Sequence, residues 1–391
     1  MCQRIVIAIA LACDPRLLIA DEPTTGLDIT TQKAVMDLIT QLSRDRGMST
    51  LLITHDLGMA AQYCDRIVVM KDGELVEEGR PETLFAQAKH PYTRKLVAAT
   101  PRKGASIREL LPAEARKPLK QYVPGDAPLL EVKNLKKTYA GKAGPVHAVK
   151  EISFTIQTGA SMALVGESGC DKSTTSSIIT RLQDATSGQI LFDGEDISEI
   201  PSRTFARNPR RRDIQMVFQD ATDSLNPRHS AAQSIIEPLR RILDMPSSEA
   251  KARVNELAEL VGLPHSLLTR YPHQLSGGQK ARVGIARAIA VNPKLLILDE
   301  PTTALDVSIQ AVVLNLLADL RAELGMTYLF VSHDLNVVRL LGDQVIVMKA
   351  GAVVEAGLTD AVMDHPTSDY TRALLDAAPT LPENAINSLT I

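Results

Sequence analysis

The sequence lacks the features that mark a metal finger, a nucleic-acid-binding protein or a membrane span. Its four cysteines, at positions 2, 13, 64 and 170, form no CxxC pair, which excludes the usual zinc-finger spacing and is typical of reduced thiols. The formal net charge of −3 gives no strong basic field, so we expect no nucleic-acid partner. No apolar run approaches the roughly 20 residues that a membrane-spanning helix requires.

What the sequence does have is an internal repeat. Residues 17–28, LLIADEPTTGLD, correspond to residues 295–306, LLILDEPTTALD, at an offset of 278 residues from Leu17 to Leu295. The same offset aligns Arg4 with Arg282, His55 with His333, and Tyr92 with Tyr370. Long internal periods indicate tandem modules. Because Met1 aligns with Gln279, the first copy begins where the second is already more than halfway through.

The N-terminus has two interpretations. A charged start followed by the apolar residues 5–13 resembles a short signal peptide that ends at Cys13. The aligned residues 283–291 have the same character but lie inside the second copy. The repeat therefore favours a buried helix over a targeting segment.

Short apolar runs alternate with helical patterns along the first 100 residues. Leu17–Ala20 and Thr50–Thr54 are expected strands, with a helix over residues 30–46 between them. This alternation predicts a parallel sheet covered by helices. Asp72-Gly73 joins two further apolar runs and predicts a hairpin turn.

Residues 101–128 are rich in proline and poor in large apolar side chains, which predicts a linker. We therefore divide the chain into four parts. These are residues 1–100, the C-terminal half of a first module; residues 101–128, the linker; residues 129–357, a full second module; and residues 358–391, a C-terminal extension with a helical start.

The apolar strand Met162–Val165 leads into a phosphate-binding loop. Residues 166–174, GESGCDKST, fit G-x-x-x-x-G-K-[ST] at all positions but one and are followed by a helical pattern. In such a loop, backbone N–H groups wrap the phosphates of a nucleotide, Lys172 neutralises the β- and γ-phosphates, and Ser173 holds Mg²⁺. The predicted contacts are Gly166, Glu167, Ser168, Gly169, Cys170, Asp171, Lys172, Ser173 and Thr174.

The one mismatch is Asp171, which stands where the pattern has its last glycine. An aspartate adds bulk and a negative charge beside the polyphosphate. At about 5 Å and an effective dielectric of about 20, each pair of like charges repels by about 3 kcal/mol. That corresponds to roughly a 100-fold loss of affinity. We expect weakened nucleotide binding.

Two further motifs follow the loop in order. Leu275–Gln279 reads LSGGQ, and the apolar run Leu295–Leu298 ends in Asp299 and Glu300. Asp299 is expected to bind the metal ion through water, and Glu300 to polarise the attacking water. The ordered set resembles the ATP-binding subunits of ABC transporters.

The resemblance implies an α/β fold of the P-loop NTPase type, with a mixed sheet, a helical subdomain and a small antiparallel β portion in each module. It also implies ATP and Mg²⁺ as ligands and ATP hydrolysis as the activity. The residues that it assigns to catalysis are Glu300, the switch histidine His333 and the Q-loop glutamine Gln219. Those that it assigns to the metal are Ser173, Gln219 and Asp299.

Other positions take roles from the same resemblance. The signature residues Ser276, Gly277, Gly278 and Gln279 bind the γ-phosphate of an ATP that the opposing module holds. Residues 304–306 match the D-loop. Tyr139 stands where the family has an aromatic that stacks on adenine, with an ordinary edge-strand aromatic as the alternative. A lone His333 would be better interpreted as a core histidine, but its position 34 residues after Asp299, as His55 follows Asp21, reverses that interpretation.

In the first copy the matching residues are Asp21, Glu22, Asp28 and His55. These look like remnants of a first module whose phosphate loop is not in the sequence. Because each ATP lies between the loop of one module and the signature of the other, the chain cannot assemble either site within itself. Three explanations stay open: a truncated reading frame, a misplaced start codon, or completion of the site by a partner or a second copy.

Two segments indicate which branch of the ABC transporters the chain resembles. Residues 224–228, SLNPR, and residues 90–94, HPYTR, look like the oligopeptide/dipeptide branch of importers, some of which carry fused modules for glutathione or peptides. The resemblance implies four further features. They are permease subunits in the membrane, an external solute-binding protein, a second ABC module in cis or in trans, and a location on the cytoplasmic face of the inner membrane. Many relatives bind an iron–sulfur cluster through late cysteines, but no cysteine follows Cys170, so we expect none.

Two other classes of function compete with the importer subunit. A vestigial or regulatory nucleotide-binding protein with impaired hydrolysis is favoured by Asp171 and by the missing front half of the first module. The soluble ABC ATPases of translation or repair fit less well, because HPYTR and SLNPR suggest a permease partner. The transported substrate is not encoded in these motifs.

Overall fold

The computed structural model describes residues 2–120, 122–142, 144–303 and 305–382, with side chains from Ile5 onward. Ala304 of the predicted D-loop lies outside the described residues. Two compact units divide the chain, one made of Met1–Arg116, Asp306–Ala311 and Arg372–Ile391, and the other of Lys117–Leu305 and Val312–Thr371. We call them unit 1 and unit 2. No helix in the described ranges is both long enough and apolar enough to cross a membrane.

Unit 1 carries the first copy of the repeat. Its elements are α1 (Cys2–Leu11), β1 (Leu17–Asp21), α2 (Ile29–Arg46), β2 (Ser49–Ile53), α3 (Leu57–Tyr63), β3 (Ile67–Lys71), β4 (Glu74–Gly79), α4 (Pro81–Ala86) and α5 (Pro91–Ala99). The strands β1 and β2 pair in parallel, whereas β3 and β4 form the antiparallel hairpin that Asp72-Gly73 predicts. Helix α2 begins after Asp28 and ends at Gly47, whose φ of 60° is left-handed.

Unit 2 holds most of the second copy. Its strands are β5 (Pro128–Gly141), β6 (Gly144–Gln157), β7 (Ser161–Val165), β8 (Ser187–Phe192), β9 (Glu195–Asp196), β10 (Ile214–Val217), β11 (Leu295–Asp299), β12 (Thr327–Val331), β13 (Gln344–Lys349) and β14 (Ala352–Leu358). The helices that follow α5 in the chain are α6 (Lys172–Ile179), α7 (Ser202–Phe205), α8 (Ala221–Ser224), α9 (Ala231–Arg241), α10 (Ser247–Leu260), α11 (Gly277–Ile289), α12 (Val307–Leu324), α13 (Leu335–Leu341), α14 (Thr359–Asp364) and α15 (Asp369–Ala377).

Two sheets organise unit 2. The larger has six strands in the order β10-β11-β12-β7-β13-β14, all parallel except β14. The smaller is antiparallel, in the order β6-β5-β8-β9. Helices α9, α10 and α11 pack on one another. These features confirm the predicted α/β class with a mixed sheet, a helical part and a small antiparallel β portion.

The core of unit 2 explains the continuous apolar runs of its central strands. Every residue of β7, β11 and β12 is buried, because both faces of the sheet are covered. Side chains from β5, β6 and β8 join those of the large sheet and of α6 in one hydrophobic cluster. The strand that leads into the phosphate loop is therefore rigidly held.

The strands of unit 1 are far more exposed than their counterparts in unit 2, and β1 alternates between buried and exposed residues. Leu18 and Ala20 are buried, whereas the alternate side chains are exposed: Leu17, Ile19, Leu51 and Ile53. At the same offset in unit 2, Leu295, Ile297, Leu329 and Val331 are fully buried. In unit 2, β7 lies between β12 and β13. Among the described residues of unit 1, β2 pairs only with β1 and β3 only with β4, so that central position holds no strand.

The N-terminal segment forms the predicted helix, but the prediction that this helix is buried is wrong. Residues 2–11 form the helix α1, but Ile5, Val6 and Ile9 are exposed. The corresponding helix α11 is buried because it packs against α9 and β10. Neither element has a counterpart in the part of unit 1 that the structure describes.

Parts of the expected linker are packed rather than extended. Two 3-10 turns, Ile107–Leu110 and Ala113–Ala115, lie within it, and Ile107 and Leu110 are buried. The two units meet in sequence between Arg116 and Lys117. The expected helical tail consists of α14 and α15, with a break between them. Our four-part division of the chain stays a prediction.

Candidate functional site

The phosphate loop joins the end of β7 to the start of α6. Its first residue, Gly166, has a φ of 149°, and a Cβ there would lie 2.2 Å from the carbonyl oxygen of Met348 and 2.7 Å from Sγ of Cys170. Only glycine fits this position. The loop is therefore held against β13 at its base, next to the strand that carries it.

Lys172 folds back over the loop. Its Nζ donates hydrogen bonds to the carbonyl oxygens of Gly166, at 2.6 Å, and Glu167, at 3.0 Å, and the residue is buried. Burial raises the pKa of the nearby Cys170 thiol, although the charge of Lys172 opposes this rise. The loop thus encloses a positive charge, as an anion-binding turn requires.

Asp171 adopts a left-handed backbone conformation, which glycine favours. Its φ of 65° and ψ of 33° are left-handed, and aspartate is one of the few residues besides glycine that adopt this region. Its carboxylate accepts a hydrogen bond from the hydroxyl of Thr174 at 3.0 Å. Asp171 therefore adopts a backbone conformation that glycine would also adopt, and it adds a negative charge at the N-terminus of α6.

Ser173 and Asp299 meet beside the loop. The hydroxyl of Ser173 donates to Oδ1 of Asp299 at 3.3 Å. Asp299 ends β11, and since β11, β12 and β7 run in parallel, their carboxyl ends lie at one edge of the sheet. Burial raises the pKa of Asp299, the Ser173 hydrogen bond opposes the rise, and the charge of Glu300 adds to it.

Glu300 is the centre of a second cluster. Its Oε2 accepts hydrogen bonds from Nε2 of Gln219 at 3.0 Å and from the hydroxyl of Thr303 at 3.1 Å. Nδ1 of His333 lies 3.2 Å from the same oxygen. All three residues predicted to be catalytic therefore meet at one carboxylate. The φ of Glu300, 46°, turns the chain sharply after the strand.

The ionisation of this cluster is set by its contacts. Burial alone would raise the pKa of Glu300, but the hydrogen bond and charge of His333, together with the charge of Lys172, lower it below its ordinary range. Burial alone would lower the pKa of His333, yet the Glu300 contact raises it. An ionised carboxylate beside a protonated imidazole can hold a water molecule and stabilise a nearby anion.

Unit 1 repeats part of this geometry. Nδ1 of His55 lies 3.0 Å from Oε1 of Glu22, whose other oxygen accepts from the hydroxyl of Thr25 at 2.9 Å. The side chains of Glu22 and His55 are 44% and 39% exposed, against 15% and 20% for Glu300 and His333. The first-copy pair is therefore more strongly screened by water than its counterpart.

The other first-copy residues, Asp21 and Asp28, lie at the ends of elements of unit 1. Asp21 ends β1 and is exposed. Asp28 caps α2, accepting from the backbone N–H of Thr31 at 2.9 Å. The described residues of unit 1 contain no phosphate loop, and a nucleotide-site role for these positions and for the Glu22–His55 pair stays a prediction.

Tyr139 is connected to the helix after the phosphate loop. Its hydroxyl donates to Oε1 of Gln183 at 2.7 Å, and Nε2 of Gln183 donates to the carbonyl oxygen of Thr174 at 3.4 Å. Its side chain is partly exposed beside Lys137, whose Nζ lies 5.0 Å from the ring centroid. Its contact with adenine stays a prediction.

The signature residues form the start of α11. The backbone N–H of Gln279 donates to the hydroxyl of Ser276 at 3.4 Å, and the backbone N–H of Ser276 donates to Oε1 of Gln279 at 3.0 Å. Gly277 and Gly278 are the first two residues of the helix. These hydrogen bonds are local, and none that the described residues show joins Ser276 or Gln279 to residues 166–174.

Sequence reasoning missed two contacts of this site. Thr303 donates to Glu300, and the hydroxyl of Tyr370 accepts from the backbone N–H of Glu167 at 3.1 Å. Both residues have counterparts at the offset of 278, Thr25 and Tyr92. The repeat was the signal that could have found them.

Comparison with known proteins identifies the family. Residues 149–303 match the family model "ABC transporter". The dimeric ATP-binding cassette MJ0796, solved in a post-hydrolysis state bound to ADP and Pi, is 33% identical over 98% of its own chain and 59% of this one, with a TM-score of 0.54. The chain belongs to the ABC transporter family. A second ABC protein, cbiO1 from Clostridium perfringens, matches with 33% identity and a TM-score of 0.54 over 92% of its chain and 61% of this one.

Two segments of the chain also match a family model for the C-terminal region of one group of transporters. The model "Oligopeptide/dipeptide transporter, C-terminal region" matches residues 76–125 and again residues 354–390 of this ABC protein. The glutathione import ATP-binding protein GsiA of Escherichia coli O6:H1 is 45% identical over 97% of the chain. The K12 strain protein of the same name is 44% identical over the same share. The chain spans 64% of the length of these relatives.

Proposed function

We propose that this ABC protein is the ATP-binding, energy-coupling subunit of an importer for peptides or related small solutes such as glutathione. The observation that carries the proposal is the meeting of Gln219, Glu300 and His333 at one carboxylate oxygen in the unit that holds the phosphate loop. The printed names of the GsiA relatives and the C-terminal region support the importer assignment.

The residues beside the loop suit a magnesium ion. Mg²⁺ is usually bound by one or two carboxylates together with substrate phosphates, so a large set of protein ligands is not needed. In agreement, no cluster of three or more His, Cys, Asp and Glu side chains suited to a metal occurs in the described ranges. Ser173 and Asp299 offer a hydroxyl and a buried carboxylate at 3.3 Å from each other. Bound there with the nucleotide, the ion would neutralise charge on the phosphates.

The chain's own groups would then act on the bond between the β- and γ-phosphates. Glu300, kept ionised by its lowered pKa, orients and polarises the attacking water. His333, whose raised pKa favours the protonated form, would contact the γ-phosphate and stabilise its charge, and Gln219, which donates to Glu300, would help to hold the metal ion. Lys172 binds the β- and γ-phosphates. Positioning and electrostatics carry most of such a reaction.

A complete site requires a second module. We infer that the signature, Ser276–Gln279, faces a nucleotide held by the loop of another copy or of a partner. The local hydrogen bonding of Ser276 and Gln279 at the start of α11 is compatible with this, and MJ0796 is described as dimeric. The repeated Glu–His geometry and the two matches of the C-terminal region support descent of the two segments from a duplicated module.

The partners follow from the same proposal. The importer would consist of this subunit, integral-membrane permease subunits and an external solute-binding protein, and the subunit would lie on the cytoplasmic face of the inner membrane. Adenine would stack on Tyr139.

Asp171 favours a second candidate function, a nucleotide-binding protein with impaired hydrolysis. Its carboxylate lies at the N-terminus of α6, where phosphate oxygens are expected. In that case nucleotide binding would regulate a complex without driving transport.

The experiment that tests the importer proposal measures ATPase activity of the full chain and its co-purification from its own host membranes. We expect Mg²⁺-dependent hydrolysis and recovery of two integral-membrane subunits. ATP binding without measurable hydrolysis would favour the second candidate. Absence of ATP binding in both the wild-type chain and the Asp171→Gly variant would refute both.

A further inference from the structure

The C-terminal region contacts the phosphate loop through one tyrosine. Tyr370, the second residue of α15, accepts a hydrogen bond through its hydroxyl from the backbone N–H of Glu167 at 3.1 Å. The two residues are 203 positions apart in the sequence. Glu167 is the second residue of the loop, directly after Gly166. None of the catalytic or metal-binding roles proposed above uses this contact.

The tyrosine is fixed relative to the sheet. Its ring lies under Nζ of Lys349, 4.5 Å from the centroid, and its backbone N–H donates to the hydroxyl of Ser368 at 3.2 Å. The preceding turn is tied to β14, because Glu355 accepts from the backbone N–H groups of Thr367 at 2.7 Å and Ser368 at 3.2 Å. Since β14 pairs with β13 and β13 pairs with β7, the hydroxyl is held to the strand that carries the loop.

Such a contact matters because the loop has to present its N–H groups in one arrangement. Gly166 and Gly169 have φ of 149° and 79°. Because glycine has no Cβ, each would sample many backbone conformations if nothing held the loop in place. Ordering a flexible backbone during binding weakens affinity, whereas a contact that orders it beforehand strengthens affinity. The hydrogen bond from Glu167 removes part of this freedom at the start of the loop.

We propose that Tyr370 is a positioning residue that clasps the base of the phosphate loop, and that the part of the C-terminal region that leads up to it, residues 354–371, sets the nucleotide affinity of its module through this clasp. The proposal rests on the proposed function. It gives the region a task in nucleotide binding by the same polypeptide, in addition to whatever it contacts elsewhere.

The first copy supplies a matched control. Tyr92 occupies the corresponding place, with Nζ of Lys71 5.7 Å from its ring centroid. Glu77 accepts from the backbone N–H groups of Lys89 at 2.8 Å and His90 at 3.0 Å, as Glu355 does in the second copy. The turn is repeated, but the described residues of unit 1 include no phosphate loop for the tyrosine to clasp.

The test compares the full wild-type chain with Tyr370→Phe and Tyr92→Phe. Each variant loses one hydroxyl and keeps its ring. We measure hydrogen exchange of the peptide that covers residues 166–171, the Kd for Mg²⁺·ATP by calorimetry, and kcat. For Tyr370→Phe we expect loop exchange several-fold faster and a Kd at least about 5-fold higher, because the hydrogen bonds of the hydroxyl with the backbone and side chain of Glu167 are lost, with kcat little changed. Tyr92→Phe should change none of these.

Four outcomes decide the question. Unchanged loop exchange and Kd in Tyr370→Phe overturn the clasp, and so does faster exchange throughout unit 2 with a lower unfolding temperature, because that indicates a general loss of stability. Faster exchange confined to the loop together with a higher Kd supports the clasp, whereas faster exchange with an unchanged Kd overturns its effect on affinity. If neither the wild-type chain nor Asp171→Gly binds ATP, the proposed function fails, while the exchange comparison still decides on the contact between Tyr370 and Glu167.

Discussion

Nδ1 of His333 lies 3.2 Å from Oε2 of Glu300, in a setting where burial opposes both charges and their mutual contact preserves them. We therefore expect His333 to titrate above its ordinary pKa of 6.5. In Glu300→Gln the partner charge is absent while burial still opposes the imidazolium, so the pKa of His333 should be lower than in the wild-type protein, although the charge of Asp334 continues to raise it. NMR titration of the imidazole signals, assigned with His333→Gln, measures both values. A pKa that is equal in the two proteins contradicts the ion pair.

The same pair predicts a pH window of stability. The raised pKa of His333 gives stabilisation that is complete below about pH 6.5 and is lost as pH rises through the folded-state pKa. The lowered pKa of Glu300 gives stabilisation that is complete above about pH 4.5 and is lost as pH falls through the folded-state pKa. The difference in unfolding temperature between wild type and His333→Gln should be largest between these limits. A difference that is flat from pH 4 to pH 9 would contradict the pair's contribution.

Replacing Asp171 should strengthen nucleotide binding. Asp171→Gly removes the charge and keeps the left-handed backbone, so we expect a Kd for ATP up to about 100-fold lower. Asp171→Asn is the matched variant, because asparagine also adopts this conformation but carries no charge. Similar gains in both variants identify the charge as the cause, and a gain in the glycine variant alone identifies the bulk. Equal affinity of all three proteins by calorimetry would refute the expected penalty.

Glu300→Gln should uncouple hydrolysis from binding. The amide still accepts from Gln219 and Thr303 but activates water poorly, so we expect kcat to fall about 10² to 10⁴-fold with ATP affinity retained. Glu22→Gln alters the corresponding position of unit 1, where the described residues include no phosphate loop, and should leave kcat within about 2-fold. Equal losses in the two variants would contradict the role assigned to Glu300.

Hydrolysis should depend on protein concentration if the site forms between chains, and activity per chain should fall on dilution. A mixing experiment sharpens this. Lys172→Ala lacks the loop's charge, and Gly277→Asp places a negative charge at the signature, where an acidic residue suits the helix start and preserves the fold. Each variant alone should be inactive, and mixing should restore part of the activity through hybrid dimers. Failure of mixing to restore activity, or activity per chain that is unaffected by dilution, would favour a site within one chain.

The strands and the phosphate loop could be predicted from the sequence because each depends on a local pattern, whereas the roles of Gln219 and His333 beside Glu300 came from the resemblance to ABC transporter subunits. An apolar run followed by glycines or carboxylates specifies where a strand ends, and parallel pairing then brings those ends together. The order of the motifs supplied the rest of the site.

Burial and long-range contacts could not be predicted from local sequence patterns. Helix α1 and β1 resemble their counterparts α11 and β11 in sequence, yet Ile5 and Ile19 are exposed because the elements that cover those counterparts are not among the described parts of unit 1. The contact between Tyr370 and Glu167 depends on how β14 and α15 approach the loop, which no local pattern specifies. Sequence similarity between repeats therefore predicts the secondary structure of a segment better than it predicts which residues pack against that segment.

The exposed apolar face of β1 and β2 has a practical consequence for the purified protein. Leu17, Ile19, Leu51 and Ile53 form a contiguous hydrophobic surface, and β2 and β3 each leave one edge unpaired among the described residues. Surfaces of this kind adhere to one another, and unpaired edges recruit further strands. We therefore expect unit 1 to limit the solubility of the chain. A charged substitution such as Ile19→Lys should raise the solubility without altering the nucleotide site of unit 2.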